Sequence, residues 1–424
     1  MIVIFGKGKV WKWLEKLLKK LNIKYVIMDD QDFDSKILDE STKIICSPWI
    51  KKNHKIYKKY GDKILSELNF LWDVIKDNDL DNKIEFVWVT GTNGKSTSVH
   101  IMYHMFVWLF EKLGKDYKVH ISGNFGTPLS QTILEILEDG DNTNHLVILE
   151  VSSFMLNKLN NFAFDYSILT NLWVDHLDWH NDIQDYFDCK FKIIDYTKTY
   201  AITSSEVLQK YEERIWNGDN KIFENTVIET YENDFDIKKT NFLWKHNEWN
   251  WNAIYKLINR YFENKDWDLR EKVFWDVAKD IEPLEHRMKM VKNIDWIKIY
   301  DDGICTSSQA LNAALSCFDD EIVLIAWGYD KWEEYDWLAE YMSKKIYFAC
   351  LIWQTAKKFE KICKEKNIGY KIFDSLQDAV HYSVKIAKEM GIKNILFSPW
   401  SASFDMFENV YDRCDKFSSI IDKL

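Results

Sequence analysis

The chain has 424 residues with a formal net charge of -11, 46% hydrophobic and 29% charged. That length exceeds what one core usually organises, so two or three domains are expected. The acidic balance argues against general nucleic-acid binding, no apolar run reaches membrane-spanning length, and the opening MIVIFGKGKV enters a strand and turn without a signal-peptide pattern.

Short apolar strands alternate with amphipathic helices. IVIF, YVIM and KIIC fall within the first 46 residues, with a helical stretch Trp11–Leu21 between the first two. FVWVT (86–90) leads into a glycine loop and a long helix near 96–113. HLVILE (145–150) and YSILTNL (166–172) read as further buried strands. After about residue 280 come IKIYDD, EIVLIA, IYFACLI and NILFSP, with helices Ala356–Lys366 and Gln377–Met390 between them. Such alternation implies an α/β protein with parallel sheets and crossover helices. Seven scattered cysteines without a C-x-x-C suit reduced thiols in a cytoplasm.

GTNGKST (91–97) follows a strand and opens a helix, the context a P-loop requires. Backbone N–H groups of Gly91, Thr92, Asn93 and Gly94 would face a polyphosphate, Lys95 would reach its outer phosphates, and Ser96 or Thr97 would bind Mg²⁺. Glu150 ends a buried strand, where an acid either holds Mg²⁺ or forms a solvated rim. His176 and His180 stand four apart in VDHLDWHND, but a zinc reading lacks a third ligand and an H-E-x-x-H. Lys190 follows His176 by 14 residues, and spacing alone gives no reason to single it out. Near the N-terminus, Gly6 and Gly8 fit the first two glycines of G-x-G-x-x-G, while Trp11 stands at the third. HNEWN (246–250), EPLEHR (282–287), YDDGICT (300–306), YDKW (329–332) and SPWSASFDMF (398–407) are polar clusters at element ends.

In this order these motifs resemble the Mur ligase family of ATP-dependent amide-forming enzymes, from Gly6 to Phe417. GN at 123–124, EPLEHRM and the SPxxASFDMF block resemble its D-glutamate-adding branch. The resemblance implies three domains: a Rossmann-like UDP-substrate domain (1–81), a central P-loop ATPase domain (82–280) and a Rossmann-like C-terminal amino-acid domain (281–424). It implies that UDP-MurNAc-L-Ala binds through Gly6, Gly8, Asp29, Ser47, Asn124 and His176. ATP would be held by the P-loop with Asn247, Asn250, His286, Arg287 and Asp302. Two Mg²⁺ ions would use Ser96, Glu150, His176 and Lys190, the last carbamylated into an anion. D-glutamate would meet Thr306, Lys331, Ser403 and Phe404, with Lys95, Glu150, His176, Lys190 and Lys331 as the catalytic set. A cytoplasmic monomer acting on small molecules in peptidoglycan synthesis, without nucleic-acid or membrane partners, completes the expectation; the alternatives are another Mur or folylpolyglutamate-type amide ligase, or a catalytically impaired nucleotide-binding homologue. The chain departs from the family at Ile304, Val410 and Cys414.

Glycine occurs 14 times and tryptophan 20 times; the glycine share, about 3%, falls below the roughly 7% of ordinary proteins. Trp11, Trp49, Trp88, Trp244, Trp296, Trp327, Trp332 and Trp353 stand where the resemblance calls for glycine, and Trp400 where it calls for a small residue. Random drift would not spare Lys95, Glu150, His176, Lys190 and Arg287. A second alternative is that these are real aromatics filling a core, but turns that need φ > 0 or close backbone approach do not admit an indole. The preferred reading is that UGA codons, translated as tryptophan, specify glycine in the source organism. Several of these indoles are then expected at turns, exposed or straining the backbone.

Overall fold

The structure, a computed structural model, describes all residues except 9, 52, 141, 178, 217–222, 224–225, 232–234, 243–244, 266, 268, 270, 306–307, 328–335, 353–355 and 401–406. The side chains of 245–246, 309, 327, 336–338, 356–358 and 400 are also left aside. Three sheets are present. The first holds β1 (Ile2–Phe5), β2 (Tyr25–Met28), β3 (Lys43–Cys46) and β4 (Ile64–Leu65) in the order β2-β1-β3-β4. The second holds β5 (Ile84–Thr90), β6 (Tyr117–Gly123), β7 (Asn144–Glu150), β8 (Phe164–Leu169), β9 (Thr197–Ser204) and β10 (Val227–Tyr231), in the order β10-β9-β8-β5-β7-β6. Every pair in these two sheets is parallel.

The third sheet holds β11 (Lys289–Ile294), β12 (Ile297–Asp301), β13 (Ile322–Trp327), β14 (Ile346–Ile352), β15 (Gly369–Phe373) and β16 (Asn394–Trp400), in the order β11-β12-β16-β13-β14-β15. It is parallel except for β11, which pairs antiparallel with β12. An all-parallel reading therefore misses this hairpin, whose first strand, KMVKNI, is only half-buried. Met1–Thr240 with Asn247–Ile281 form one compact unit, and Asn241–His246 with Glu282–Leu424 another.

The anticipated elements form for identifiable reasons. Strands β5, β7 and β8 are buried on both faces, as a central parallel sheet demands, so they read as continuous apolar runs. Helix Lys95–Lys112 buries Val99, Ile101, Met102, Met105, Phe106, Leu109 and Phe110. Its Phe106 ring lies 4.9 Å from Tyr261 on helix Lys245–Glu263. Each such side chain contributes about 1.5–3 kcal/mol by leaving water. The strand expected through Leu172 stops at Leu169 instead, because Thr170 and Asn171 turn aside to bond the P-loop.

Of the tryptophans expected at glycine places, four have described side chains. Trp49 lies in a turn, 68% exposed, and Trp296 in the two-residue loop between β11 and β12, 47% exposed. Trp11 is half-buried at the start of helix Trp11–Lys20. Trp88 differs: it sits inside β5, fully buried, its ring stacked 4.1 Å from Phe164. None of the four has a left-handed φ. The same substitution should therefore act differently at two of them. Trp296 is 47% exposed in its loop, so Trp296→Gly should change stability by no more than about 0.5 kcal/mol, read by denaturant unfolding. Trp88→Gly opens a core cavity and should cost about 3–5 kcal/mol, read by denaturant unfolding.

Candidate active site

The parallel order brings the C-terminal ends of β8, β5, β7 and β6 side by side, and the polar residues of the central sheet gather there. Loop 91–94 leaves β5 and enters helix Lys95–Lys112 at Gly94, which is left-handed (φ 84). A Cβ at Gly91 would lie 1.9 Å from Thr170 Oγ1, and one at Gly94 2.4 Å from Asn250 Oδ1. Only glycine fits both positions. Asn250 Nδ2 donates to Asn247 Oδ1 (3.1 Å), so both asparagines expected at the ATP site lie beside the P-loop. Ser96 and Thr97 occupy the first turn of the following helix.

Thr170 and Asn171 brace this loop. Thr170 Oγ1 donates to Asn93 O (2.7 Å), Asn171 Nδ2 to the same oxygen (3.1 Å), and Asn93 N to Asn171 Oδ1 (2.9 Å). Neither residue was singled out from sequence. They lie within the segment TNLWVDHLDWHND, whose acids and histidines carry the conspicuous chemistry.

Two lysines converge on one oxygen. Lys95 Nζ donates to Gly91 O (2.9 Å) and Thr92 O (2.7 Å), and Lys190 Nζ donates to Gly91 O (2.7 Å). Lys190 is 2% exposed on helix Ile183–Asp195. Burial first, then the Lys95 charge, hold its pKa well below the ordinary lysine value. A neutral amine with a depressed pKa is nucleophilic.

Glu150 closes β7, 1% exposed. Its Oε1 accepts from Asn124 Nδ2 (2.7 Å), and its Oε2 is buried with no partner. An orphaned carboxylate oxygen at a strand end fits a hard cation such as Mg²⁺, which takes oxygen ligands. Lys190 as an amine does not fit such a site; as a carbamate it supplies the oxygens. His176 is left-handed (φ 54), with its ring 4.9 Å from Phe154 and its Nε2 3.6 Å from Asp175 Oδ2.

A cavity of about 710 Å³ lies between the first sheet's turns and the central sheet's edge. Gly6, Gly8, Ser47 and Asn124 line it, with Trp11 and Trp49. Gly6 (φ 108) lies so near Ser47 that a Cβ there would approach Ser47 Cβ to 2.8 Å. Asp29 is not among the lining residues; it pairs with Lys7 (3.3 Å) on a half-exposed surface. Nor does His176 line this cavity.

In the second unit His286 Nδ1 bonds Asp301 Oδ2 (2.6 Å), which raises the histidine's pKa. Asp302 accepts from Ser398 Oγ (2.8 Å), and burial pushes its carboxyl up to about 7. Arg287 Nε is buried without a partner. Cys414 packs against Gly303, where a Cβ would meet its Sγ at 2.6 Å. Thr306, Lys331, Ser403 and Phe404 lie outside the described residues.

Glu67, which sequence reading passed over, also lines the cavity. It sits in the first turn of helix Glu67–Asp77, where an acid ordinarily signals only favourable helix-end charge. Here it is 7% exposed, with Oε1 unpartnered and its carboxyl pushed up to about 7 by burial. The folded chain thus keeps a proton that the unfolded chain loses near pH 4.5, so the stability Glu67 contributes falls as pH rises towards about 7. Glu67→Gln removes that fall. Relative to the parent, the variant's unfolding free energy should rise between about pH 5 and about pH 8, measured by denaturant titration at both.

A Mur ligase middle-domain profile matches residues 89–256. The UDP-N-acetylmuramoylalanine–D-glutamate ligase of Clostridium botulinum is 30% identical over 359 residues, covering 79% of this chain and 74% of its own. Enzymes of that name from Fervidobacterium nodosum (28% over 428 residues, 100% of this chain and 93% of theirs) and Aquifex aeolicus (27% over 431, 99% and 98%) match nearly end to end. Among solved structures, the MurF ligase of Thermotoga maritima in complex with ADP aligns with a TM-score of 0.59 and 14% identity, covering 100% of this chain and 95% of that one. The UDP-N-acetylmuramate-alanine ligase MurC of the same organism gives 0.55 and 16%, covering 100% and 99%. Those structural likenesses show the fold. A P-loop on a parallel sheet, matched in sequence along the chain, places this protein in the Mur ligase family.

Proposed function

We propose that this chain joins D-glutamate to UDP-MurNAc-L-alanine, with conversion of ATP to ADP and phosphate, in the cytoplasmic stage of peptidoglycan synthesis. It is read as a monomer with domains at 1–81, 82–280 and 281–424. The observation that supports this most is Asn124. It lines the cavity assigned to the UDP-linked substrate, and its amide bonds Glu150 beside the P-loop. A substrate lying in that cavity would thereby present its free carboxylate to the nucleotide site.

The chemistry follows from the charges. A carboxylate is a poor electrophile, so its oxygen first attacks the γ-phosphorus of ATP, the bond to ADP breaks, and an acyl phosphate forms. The neutral amine of D-glutamate then attacks the acyl carbon. The nitrogen loses a proton, phosphate leaves with the bonding pair and can carry that proton away, and the amide remains. Lys95 would exchange its two loop carbonyls for phosphate oxygens, alongside the N–H groups of the helix N-terminus. Mg²⁺ held by Ser96, Glu150, His176 and carbamylated Lys190 would neutralise charge on the transferring group. Lys190 would become that ligand by adding CO₂: its nitrogen lone pair forms the N–C bond and a proton is released. His286, Arg287 and Asp302 would complete the ATP site, and Thr306, Lys331, Ser403 and Phe404 would hold D-glutamate.

Phosphate release should require D-glutamate and UDP-MurNAc-L-alanine together. Lys190→Ala should lose at least about 100-fold in kcat and recover part of it with added formate or acetate, which can refill the carbamate's place. Phosphate release without either co-substrate, or a fully active Lys190→Ala, would refute this reading.

We infer also that glycine occupies the anomalous tryptophan positions in the native protein. Trp49 and Trp296 lie exposed at turns, and Trp11 and Trp49 narrow the cavity that a bulky substrate must enter. Peptides spanning 295–296 and 326–332, taken from the native cells, should weigh as glycine at 296, 327 and 332. Tryptophan masses would end that inference, and the chain as written would then be the one to assay.

A further inference from the structure

We propose that His180, Asp185 and Cys189 form a zinc site that ties the loop carrying His176 to the helix carrying Lys190. One donor atom from each lies within 4.8 Å of the others. His180 Nδ1 is 3.5 Å from Asp185 Oδ2, and Cys189 Sγ is 4.0 Å from both His180 Nδ1 and Asp185 Oδ1. The His180–Asp185 gap exceeds the 2.7–3.2 Å or so of a good N–H···O hydrogen bond. It matches the separation that tetrahedral zinc imposes, about 3.4–3.6 Å from its bond lengths to nitrogen, oxygen and sulfur. The sulfur gaps, one of them to the other oxygen of Asp185, are about half an ångström longer, so a bound ion would draw Cys189 inward. Thiolate and imidazole favour zinc over Mg²⁺ or Ca²⁺.

The surroundings are built for this. His180 Nε2 bonds Ser153 Oγ (2.9 Å), which fixes the ring with Nδ1 facing the other donors. Asp185 Oδ2 accepts from the backbone N–H and side-chain amide of Asn181 (3.1 and 3.2 Å). Asp185 and Cys189 share one helix face at i, i+4. An independent observation points to a fourth ligand. Asn157 is 5% exposed, its Nδ2 lies 3.0 Å from Cys189 Sγ, and its Oδ1 is buried without a partner. Exchanging the two amide atoms, which their similar size permits, turns the orphaned oxygen towards the cluster.

A second trio, His286, Asp301 and Cys414, lacks this property. His286 and Asp301 already bond directly at 2.6 Å, leaving no room for an ion between them. The consequence of the first site is positional. His180 N donates to His176 O (3.0 Å), and Lys190 follows Cys189 on the helix, so a bound ion would fix both expected Mg²⁺ ligands relative to each other.

Metal binding is read without turnover, so this test is independent of the ligase reading. The full chain, stripped with chelator and titrated with Co²⁺, should develop a thiolate-to-cobalt charge-transfer band at about one ion per chain. Cys189→Ala should abolish the band, and Cys414→Ala should keep it. Asp185→Asn, which spares the buried core, should bind Co²⁺ about tenfold or more weakly, and so decides the matter if Cys189→Ala does not fold. No band in the parent chain, a band surviving Cys189→Ala, or a band lost only in Cys414→Ala would overturn the proposal.

Discussion

One carbonyl oxygen, that of Gly91, receives both Lys95 and Lys190. Two ammonium groups so placed stand less than about 6 Å apart and repel by about 3 kcal/mol at an effective dielectric near 20. Lys190 is buried, so water cannot relieve that repulsion. The site must either discharge Lys190 or bring in negative charge. A nucleotide's phosphates would supply the second, and a carbamate at Lys190 would do both at once. The unpartnered oxygen of Glu150 is the same problem with the sign reversed, an anion awaiting a cation. The two imbalances face the same row of strand ends, and under the proposed function a nucleotide with its metal would meet both together.

Holding these groups in place requires close backbone approach. Beyond Gly91 and Gly94, a Cβ at Gly123 would fall 2.2 Å from Glu150 O. That contact lets Asn124 N donate to Glu150 O (2.9 Å) while its side chain reaches Glu150 Oε1. The glycines thus bring the ends of β5, β6 and β7 together, and the polar side chains take their aim from that packing. Thr170 and Asn171 do the same from β8, trading strand pairing for bonds to the loop.

The P-loop was legible because its chemistry is contiguous and its strand and helix flank it directly. Glu150 and Lys190 were legible only with the family pattern in hand, since a strand-end acid and a helical lysine are ordinary taken singly. Glu67 was invisible, because burial and a missing partner make it unusual and sequence reports neither. The His180 cluster was hidden for a related reason: a search for paired histidines passes over a ligand set that mixes one histidine with an acid and a thiol one helical turn apart. The β11–β12 hairpin was lost because its loop reads Asp-Trp, and tryptophan is not a turn signal.

That loop bears on how far the tryptophans can be judged from structure. An unpartnered indole N–H does not separate the two translations, since Trp179, which stands at no glycine place of the family pattern, buries its N–H as Trp88 does. Each such group costs about 1–3 kcal/mol of lost hydration wherever it occurs. Burial is no better a criterion, because aromatic neighbours such as Phe162 and Phe164 close round Trp88 and make it a core residue. Exposure in a loop discriminates better. Trp296 lies 47% exposed between β11 and β12 and Trp49 lies 68% exposed in a turn, so glycine at either would remove exposed apolar surface and empty no core. At Trp88 the same change would leave a cavity beside Phe162 and Phe164, so the two translations differ most in stability at 88 and least at 49 and 296.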